Sequence, residues 1–213
     1  MQRICYAGVL TVALLMIGLR SSSRGILLMD QIGTLPSQVS QLSDLNQVYP
    51  NVPNNSRYAA DDFTIGVPRL LNWVELHARV TNYANGPVWT QLPTWEVSVW
   101  TDSSGAPGTL IYSFLVTASQ TTVTQNYSFN INSSVSNALV RIPLGQASLV
   151  AGTYWIAATP YEVSTTLRQF TISRSQFGAG FPLNNLYWNL NPGGGSGGNL
   201  SNGYDVAYRV DGT

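Results

Sequence analysis

The sequence contains no lysine, one cysteine and one histidine, and only 9% of its residues are charged. Without lysine, Schiff-base chemistry and a phosphate-binding P-loop are excluded. Ten arginines balance ten acidic residues and no basic run occurs, so a nucleic-acid partner has little electrostatic support. Ser, Thr, Asn and Gln supply most of the polarity, which is typical of extracellular β-proteins.

The only cysteine, Cys5, lies in an N-terminal segment that is typical of exported proteins. Arg3 precedes an apolar run over residues 4–19, and residues 21–23 are serines at which a signal peptidase could cut. The run is shorter than the ~20 residues that a membrane helix needs. Residues 1–23 therefore predict a cleaved signal peptide.

An uncleaved N-terminal anchor is the alternative, because Arg20 and Arg24 follow the apolar run. Both interpretations place residues 24–213, the predicted single domain, outside the cytoplasm, secreted or at the cell surface. After cleavage the chain has no cysteine, which excludes disulfides and thiolate-bound metals, and no contact with a membrane is expected.

Apolar and polar residues alternate with period two in several segments, which indicates half-buried strands, and no helix of ten or more residues is indicated. The apolar members of these segments are Val74, Leu76, Ala78 and Val80; Trp95, Val97 and Val99; Tyr127, Phe129 and Ile131; Tyr154, Ile156 and Ala158; and Tyr204, Val206, Tyr208 and Val210. Their polar neighbours are expected to face water. With Gly- and Pro-rich turns between the strands, the pattern predicts an all-β fold, a single antiparallel β-sandwich that is jelly-roll-like.

Five short motifs occur in a fixed order along the chain: Asp30-Gln31, Ala60–Phe63, Pro107–Ser113, Leu149–Ile156 and Asp205–Arg209. In this order they resemble secreted bacterial β-sandwich proteins with an "ADDF" motif and a "GTYWI" strand, often found with PEP-CTERM or similar sorting tails. The resemblance spans residues 26–212 and implies the fold and an extracellular location. It implies little about activity, because such proteins are known mainly as extracellular modules without an assigned role. No apolar segment follows the last motif, which argues against a C-terminal anchor.

Carboxylates near turns suggest one kind of metal site. Asp61 and Asp62, helped by Asp102, Asp205 or backbone carbonyls, could supply oxygen ligands to a hard cation such as calcium. Apart from this calcium site, no cofactor is expected. Adjacent strand residues point to opposite faces, so at most one of the pair is expected to turn inward. The alternative is that one aspartate accepts turn amides while its neighbour is solvated.

Catalytic residues are sparse. His77, the sole histidine, is expected at the surface between Glu75 and Arg79, and no multi-histidine metal centre can form. A glycoside hydrolase would need two carboxyls across a cleft, and Glu75 and Glu96 could lie on neighbouring strands. Nothing distinguishes them from solvated strand residues. No catalytic residue is assigned, and a hydrolase ranks last among the predicted functions.

Aromatic residues provide the second functional hypothesis. Six tryptophans and eleven tyrosines could form flat platforms for sugar rings. The candidates near turns or outside the apolar phase are Trp89, Trp100, Tyr187 and Trp188. They would make the chain a lectin-like module that binds glycans, whereas the alternative is that they fill the interior.

Self-assembly is the leading hypothesis. Uncharged segments such as Thr109–Val116 lack the charges that usually protect sheet edges. An N-terminal strand around Ile26, Leu27, Leu28 and Met29 could add to a neighbouring subunit by donor-strand exchange. The alternative is that residues 26–31 pair within their own sheet. The sequence thus predicts a non-enzymatic structural or adhesive protein that associates with copies of itself, or with other cell-surface components, in filaments, tubules or a surface layer.

Overall fold

A computed structural model describes residues 25–32, 39–45, 56, 58–81, 93–127, 135–161, 169–175, 186–188, 198–200 and 205–213. The predicted signal peptide and Trp89 lie outside these residues. The described chain is nearly all β, and two antiparallel sheets pack face to face. The predicted all-β sandwich is therefore confirmed.

The larger sheet is built around one long central strand. Its eight strands are β1 (Ile26–Asp30), β2 (Val39–Leu45), β4 (Arg69–Thr81), β7 (Thr122–Tyr127), β8 (Val135–Leu149), β10 (Gln169–Ser175), β13 (Asp205–Val206) and β14 (Tyr208–Gly212). One side of β4 pairs with β8, which pairs with β7. On its other side, β4 pairs first with β14 and, further along, with β10. Strand β14 also pairs with β1, and β10 also pairs with β2.

The smaller sheet has six strands in the order β12-β11-β3-β9-β5-β6. They are β3 (Ala59–Ile65), β5 (Thr94–Asp102), β6 (Pro107–Val116), β9 (Gly152–Tyr161), β11 (Leu186–Trp188) and β12 (Gly198–Leu200). One turn of 3-10 helix, Ala118–Gln120, connects β6 to β7 and so links the outermost strands of the two sheets.

The core lies between the sheets and is made by alternate residues of the strands. The described residues that the alternation places inward, such as Leu76, Val97 and Ile156, are buried there. Large aromatic rings fill the centre, where Trp95 of one sheet meets Phe170 of the other edge to face at 6.3 Å between centroids. The period-two pattern was thus sufficient to assign the inward face of these strands.

Candidate functional site

Asp61 lies inside the core and joins the two sheets. On β3 it shares the inward face with Ala59 and Phe63, and its Oδ2 accepts the amide of Val206 on β13 at 3.1 Å. Its Oδ1 accepts the amide of Asp62 at 2.8 Å. Burial raises the pKa of the Asp61 carboxyl well above its usual value. The Asp61 carboxyl thus accepts one backbone amide from each sheet.

Two of the other predicted calcium ligands, Asp62 and Asp102, point away from Asp61 or lie elsewhere in the sandwich, and only Asp205 is near it. Asp62 is on the opposite side of β3, and Asp102 is at the β5–β6 turn, where it accepts the amide of Gly105 at 3.2 Å. Asp205 is buried, and its charge contributes to the raised pKa of Asp61. Across the described residues, no group of three or more His, Cys, Asp and Glu side chains is arranged to hold a metal ion.

Tyr208 forms a second polar link through the core. The β3–β9 register ends where Asp61 lies opposite Ile156. Beyond that pair, the Tyr208 hydroxyl donates to the Ala59 carbonyl at 2.9 Å and accepts the Ala158 amide at 3.0 Å. A side chain of the larger sheet thus continues the hydrogen bonding between two strands of the smaller one. Sequence reasoning placed Tyr208 in the core but gave no signal for this contact.

The outer face of the smaller sheet carries a buried aromatic cluster, which we define as Tyr58, Trp100 and Trp155. Trp100 and Trp155 lie opposite each other on β5 and β9, and Tyr58 meets Trp100 edge to face at 6.4 Å. Two carboxylates accept hydrogen bonds from the cluster. Asp102 accepts one from Trp155 Nε1 at 2.8 Å, and Glu96 accepts one from the Tyr58 hydroxyl at 3.1 Å. Burial, and then Glu96, raises the pKa of Tyr58.

The predicted sugar-binding residues are therefore divided. Trp100 is buried in the aromatic cluster, so it presents no open ring face to a sugar. Tyr187 and Trp188 belong to β11, which pairs with β3, but their side chains lie outside the described part of the chain, as does Trp89. The described residues do not bring the four candidates together.

The outer face of the larger sheet carries a charged cluster, which we define as Asp30, Glu75, Arg141 and Arg209. Glu75 is 1% exposed. Its carboxylate forms ion pairs with Arg209 Nη1 at 2.9 Å and Arg141 Nη2 at 3.1 Å, and it accepts a hydrogen bond from the Thr124 hydroxyl at 2.8 Å. Arg209 Nε also lies 3.2 Å from Asp30 Oδ1 on β1. The expectation that Glu75 faces water was wrong, because two arginines and a hydroxyl from neighbouring strands replace its hydration.

His77 is also buried, so the expected surface position was wrong. Its Nδ1 lies 2.7 Å from the Ser173 hydroxyl, and both side chains are buried. Burial, and then the charge of Arg79, lowers the pKa of His77 to about 4, so the ring is neutral at neutral pH. A hydrogen-bonded Ser–His pair is one part of a nucleophilic site, but this pair is closed to a substrate.

The two glutamates considered for hydrolysis do not face each other. Glu75 is on β4 of the larger sheet, and Glu96 is on β5 of the smaller one. Each points away from the core, since the flanking residues Val74 and Val97 are buried in it. The carboxyls therefore lie on opposite outer faces of the sandwich, and the expected placement on neighbouring strands was wrong. Glu162 lies outside the described residues.

The strands β6 and β7 are uncharged, and each is the last described strand on one side of its sheet. Among the described strands, β6 pairs only with β5 and β7 only with β8. Neither strand contains a charged residue. Three large apolar side chains of β6, Leu110, Ile111 and Leu115, are 37–58% exposed. The uncharged Thr109–Val116 segment thus belongs to the strand at one end of the smaller sheet as far as the chain is described.

The predicted assembly strand pairs within its own chain. Ile26 lies opposite Gly212 on β14, and Met29 opposite Val210. Leu28 and Met29 are buried in the core, whereas Ile26 and Leu27 are exposed. This arrangement is the alternative to donor-strand exchange.

No family model matches the chain, and no curated protein matches it. Within the described residues, no helix has the length and apolar character needed to cross a bilayer.

Proposed function

We propose that this chain is a non-enzymatic structural or adhesive component of an extracellular surface, and that copies of it associate through the β6 edge. One observation carries the proposal: β6 is the last described strand of its sheet, has no charge over its length and exposes Leu110, Ile111 and Leu115.

An open edge strand exposes backbone N–H and C=O groups that can pair with another strand. Native sheets usually protect such an edge with charge, proline or a bulge. In β6 the proline, Pro107, and the register shifts lie in the first half of the strand. From Tyr112 to Val116 the pairing with β5 is regular. This second half, which carries the exposed Leu115, is the segment that we propose for contact with another copy.

Association through β6 requires no rearrangement of the fold, unlike exchange of β1. To leave its place, β1 would have to withdraw Met29 from the core and break the ion pair between Asp30 and Arg209. Among the described strands of a single chain, none pairs with the side of β6 that faces away from β5. We therefore assign the proposed contact to β6 in preference to β1.

The neighbouring β7 edge supports a contact that involves both sheets, since the short 3-10 turn connects β6 directly to β7. If β6 meets β6 of a second copy, the contact is symmetric and closes as a dimer. Filaments or layers then require a second, different contact. The size of the assembly therefore distinguishes a closed pair from an open polymer.

The experiment compares two exposed apolar positions in the exported protein, purified from producing cells. Leu115→Lys puts a charge on the β6 edge, and Val150→Lys puts the same charge on the exposed turn between β8 and β9. We expect electron microscopy and light scattering to detect assemblies of the natural chain and of Val150→Lys, and their loss in Leu115→Lys. A natural chain that stays monomeric at high concentration, or equal behaviour of both variants, would contradict the proposal.

The described tryptophans give little support to sugar binding as a second function. Of the four tryptophans with described side chains, three are buried, and Trp73 is partly covered by Arg141, whose Cζ lies 4.1 Å from the ring centroid.

A further inference from the structure

The exposed large apolar side chains of the described residues fall into two groups. Three are on β6, and strand pairing places the other five at the end of the sandwich where β4 begins and β8 ends. We call these five the apolar end: Ile26, Leu27, Val67, Leu70 and Val150. The most exposed of all eight, Val150 at 67%, belongs to this end. Large apolar patches on a protein surface commonly mark sites of contact with another molecule or a membrane.

Chain topology brings two turns of the apolar end side by side. The turn at 66–68 leads from β3 to β4, and the turn at 150–151 leads from β8 to β9. Because β3 pairs with β9 and β4 pairs with β8, the two turns that cross between the sheets are neighbours. Val67 and Val150 therefore form a single tip.

The first described residues of the chain are at the same end. Leu70 exchanges two backbone hydrogen bonds with Thr213, both 2.9 Å long. Ile26 lies opposite Gly212, the residue before Thr213. The chain thus enters the domain beside the tip formed by Val67 and Val150.

The preceding sequence indicates what the apolar end faces. The apolar run over residues 4–19 is separated from Gly25 by only five residues. Six residue steps span at most about 20 Å when fully extended. Whenever that run is in a bilayer, the apolar end is held within this distance of the lipid surface. Arg20 and Arg24, in the short connection, suit the anionic headgroup region.

We propose that, in the chain that keeps residues 1–23 as the uncleaved anchor, the apolar end is a membrane-contact surface, with Val67 and Val150 entering the lipid interface while the N-terminal run holds the chain on the bilayer. Apolar side chains at such an interface enter to a depth of about 5–10 Å. The strands run away from this end, so the β6 edge of a membrane-bound chain remains available to neighbours in the plane of the membrane. The contact is separate from the proposed β6 association.

The test uses the full chain in liposomes of phosphatidylcholine and phosphatidylglycerol. In a Cys5→Ser background, one variant carries Val150→Cys and a matched control carries Ser119→Cys, each labelled with a polarity-sensitive fluorophore. Ser119 is exposed and follows β6 at the opposite end of the sandwich. We expect nitroxide lipids to quench the label at position 150 about threefold more than the label at 119, as interfacial contact requires. Equal quenching, or none, overturns the proposal.

A second variant separates contact with lipid from simple proximity. Val67→Asp places a charge beside the labelled position 150 and should reduce its quenching, with an unchanged circular dichroism spectrum as evidence of folding. Unchanged quenching overturns the proposal. A second result would also overturn the proposal. If the label at position 150 becomes shielded in lipid-free protein as the protein concentration rises, a second copy of the chain covers the apolar end. Leu115→Lys should leave the quenching unchanged, so the β6 and membrane proposals can fail independently.

Discussion

The two outer faces of the sandwich hold carboxylates in different ways. On the larger sheet, Glu75 is buried between Arg141 and Arg209, so its charge is compensated by cations. On the smaller sheet, Glu96 and Asp102 accept hydrogen bonds from neutral aromatic donors of the cluster. On both faces these residues point outward, as the period-two alternation of their strands indicates. The comparison teaches that strand alternation predicts the direction of a side chain but not the partners that it finds there.

The difference matters energetically because charge and hydrogen bonding respond differently to the loss of a partner. Removing one member of a buried ion pair leaves an uncompensated charge, which costs more than losing an ordinary neutral hydrogen bond. Substitutions in the charged cluster should therefore lower the free energy of unfolding more than substitutions in the aromatic cluster.

The largest effect is expected from Glu75→Ala. The substitution removes the carboxylate shared by Arg141 and Arg209, but Arg141 is 40% exposed and Arg209 keeps Asp30, so we expect the free energy of unfolding to fall by about 3 kcal/mol. Urea denaturation, monitored by fluorescence, measures this change in the free energy of unfolding. Glu96→Ala is the matched control on the other face and should cost about 1 kcal/mol. A Glu75 variant that loses no more than the Glu96 variant would contradict the comparison.

His77 should make the larger sheet sensitive to acid. Its folded pKa of about 4 is below the unfolded value of 6.5, so the unfolded chain takes up the proton first as the pH falls. The stabilising contribution is complete above pH 6.5 and is lost as the pH approaches 4, by about 3 kcal/mol.

The measurement compares the natural chain with His77→Gln by urea denaturation at several pH values. The difference between the two proteins isolates His77, since Asp61, whose raised pKa gives the opposite slope, is present in both. A difference that does not change between pH 7 and pH 4 would show that the ring is not buried in its neutral form.

Asp102→Ala tests the aromatic cluster with a smaller expected effect. It leaves the buried Trp155 Nε1 without its acceptor and should cost about 2 kcal/mol in the free energy of unfolding. Asp102→Asn retains an oxygen and should stay close to the natural chain. Thermal unfolding distinguishes the two variants, and equal losses would mean that charge, rather than the acceptor, is what Trp155 requires.

The smallest effect is expected from Tyr58→Phe. It keeps the ring against Trp100 and removes only the hydroxyl that donates to Glu96, so about 1 kcal/mol should be lost. Glu96 is partly exposed and regains water, which limits the cost. Urea denaturation gives the value, and a loss as large as that of Glu75→Ala would remove the distinction between the faces.

Much of the fold could be predicted because each strand carries its own signal. Leu76, Val97 and Ile156 are inward as their alternation indicates. Asp61 shows the limit: as a carboxylate it was a candidate ligand, yet it lies in the core because amides on β3 and β13 satisfy it. The sequence also singled out the uncharged β6 segment, but only the order of the described strands places it at the end of its sheet.

By itself, the sequence determined that the chain is all-β and which faces of its strands are apolar, because those properties depend on residues two positions apart. Only the tertiary structure decided that Arg209 meets Glu75, 134 residues away, that β1 pairs with β14, and that Val67 and Val150 share one tip. These contacts depend on the order in which strands associate. That order arises from burial of the whole core, and no local pattern in the sequence records it.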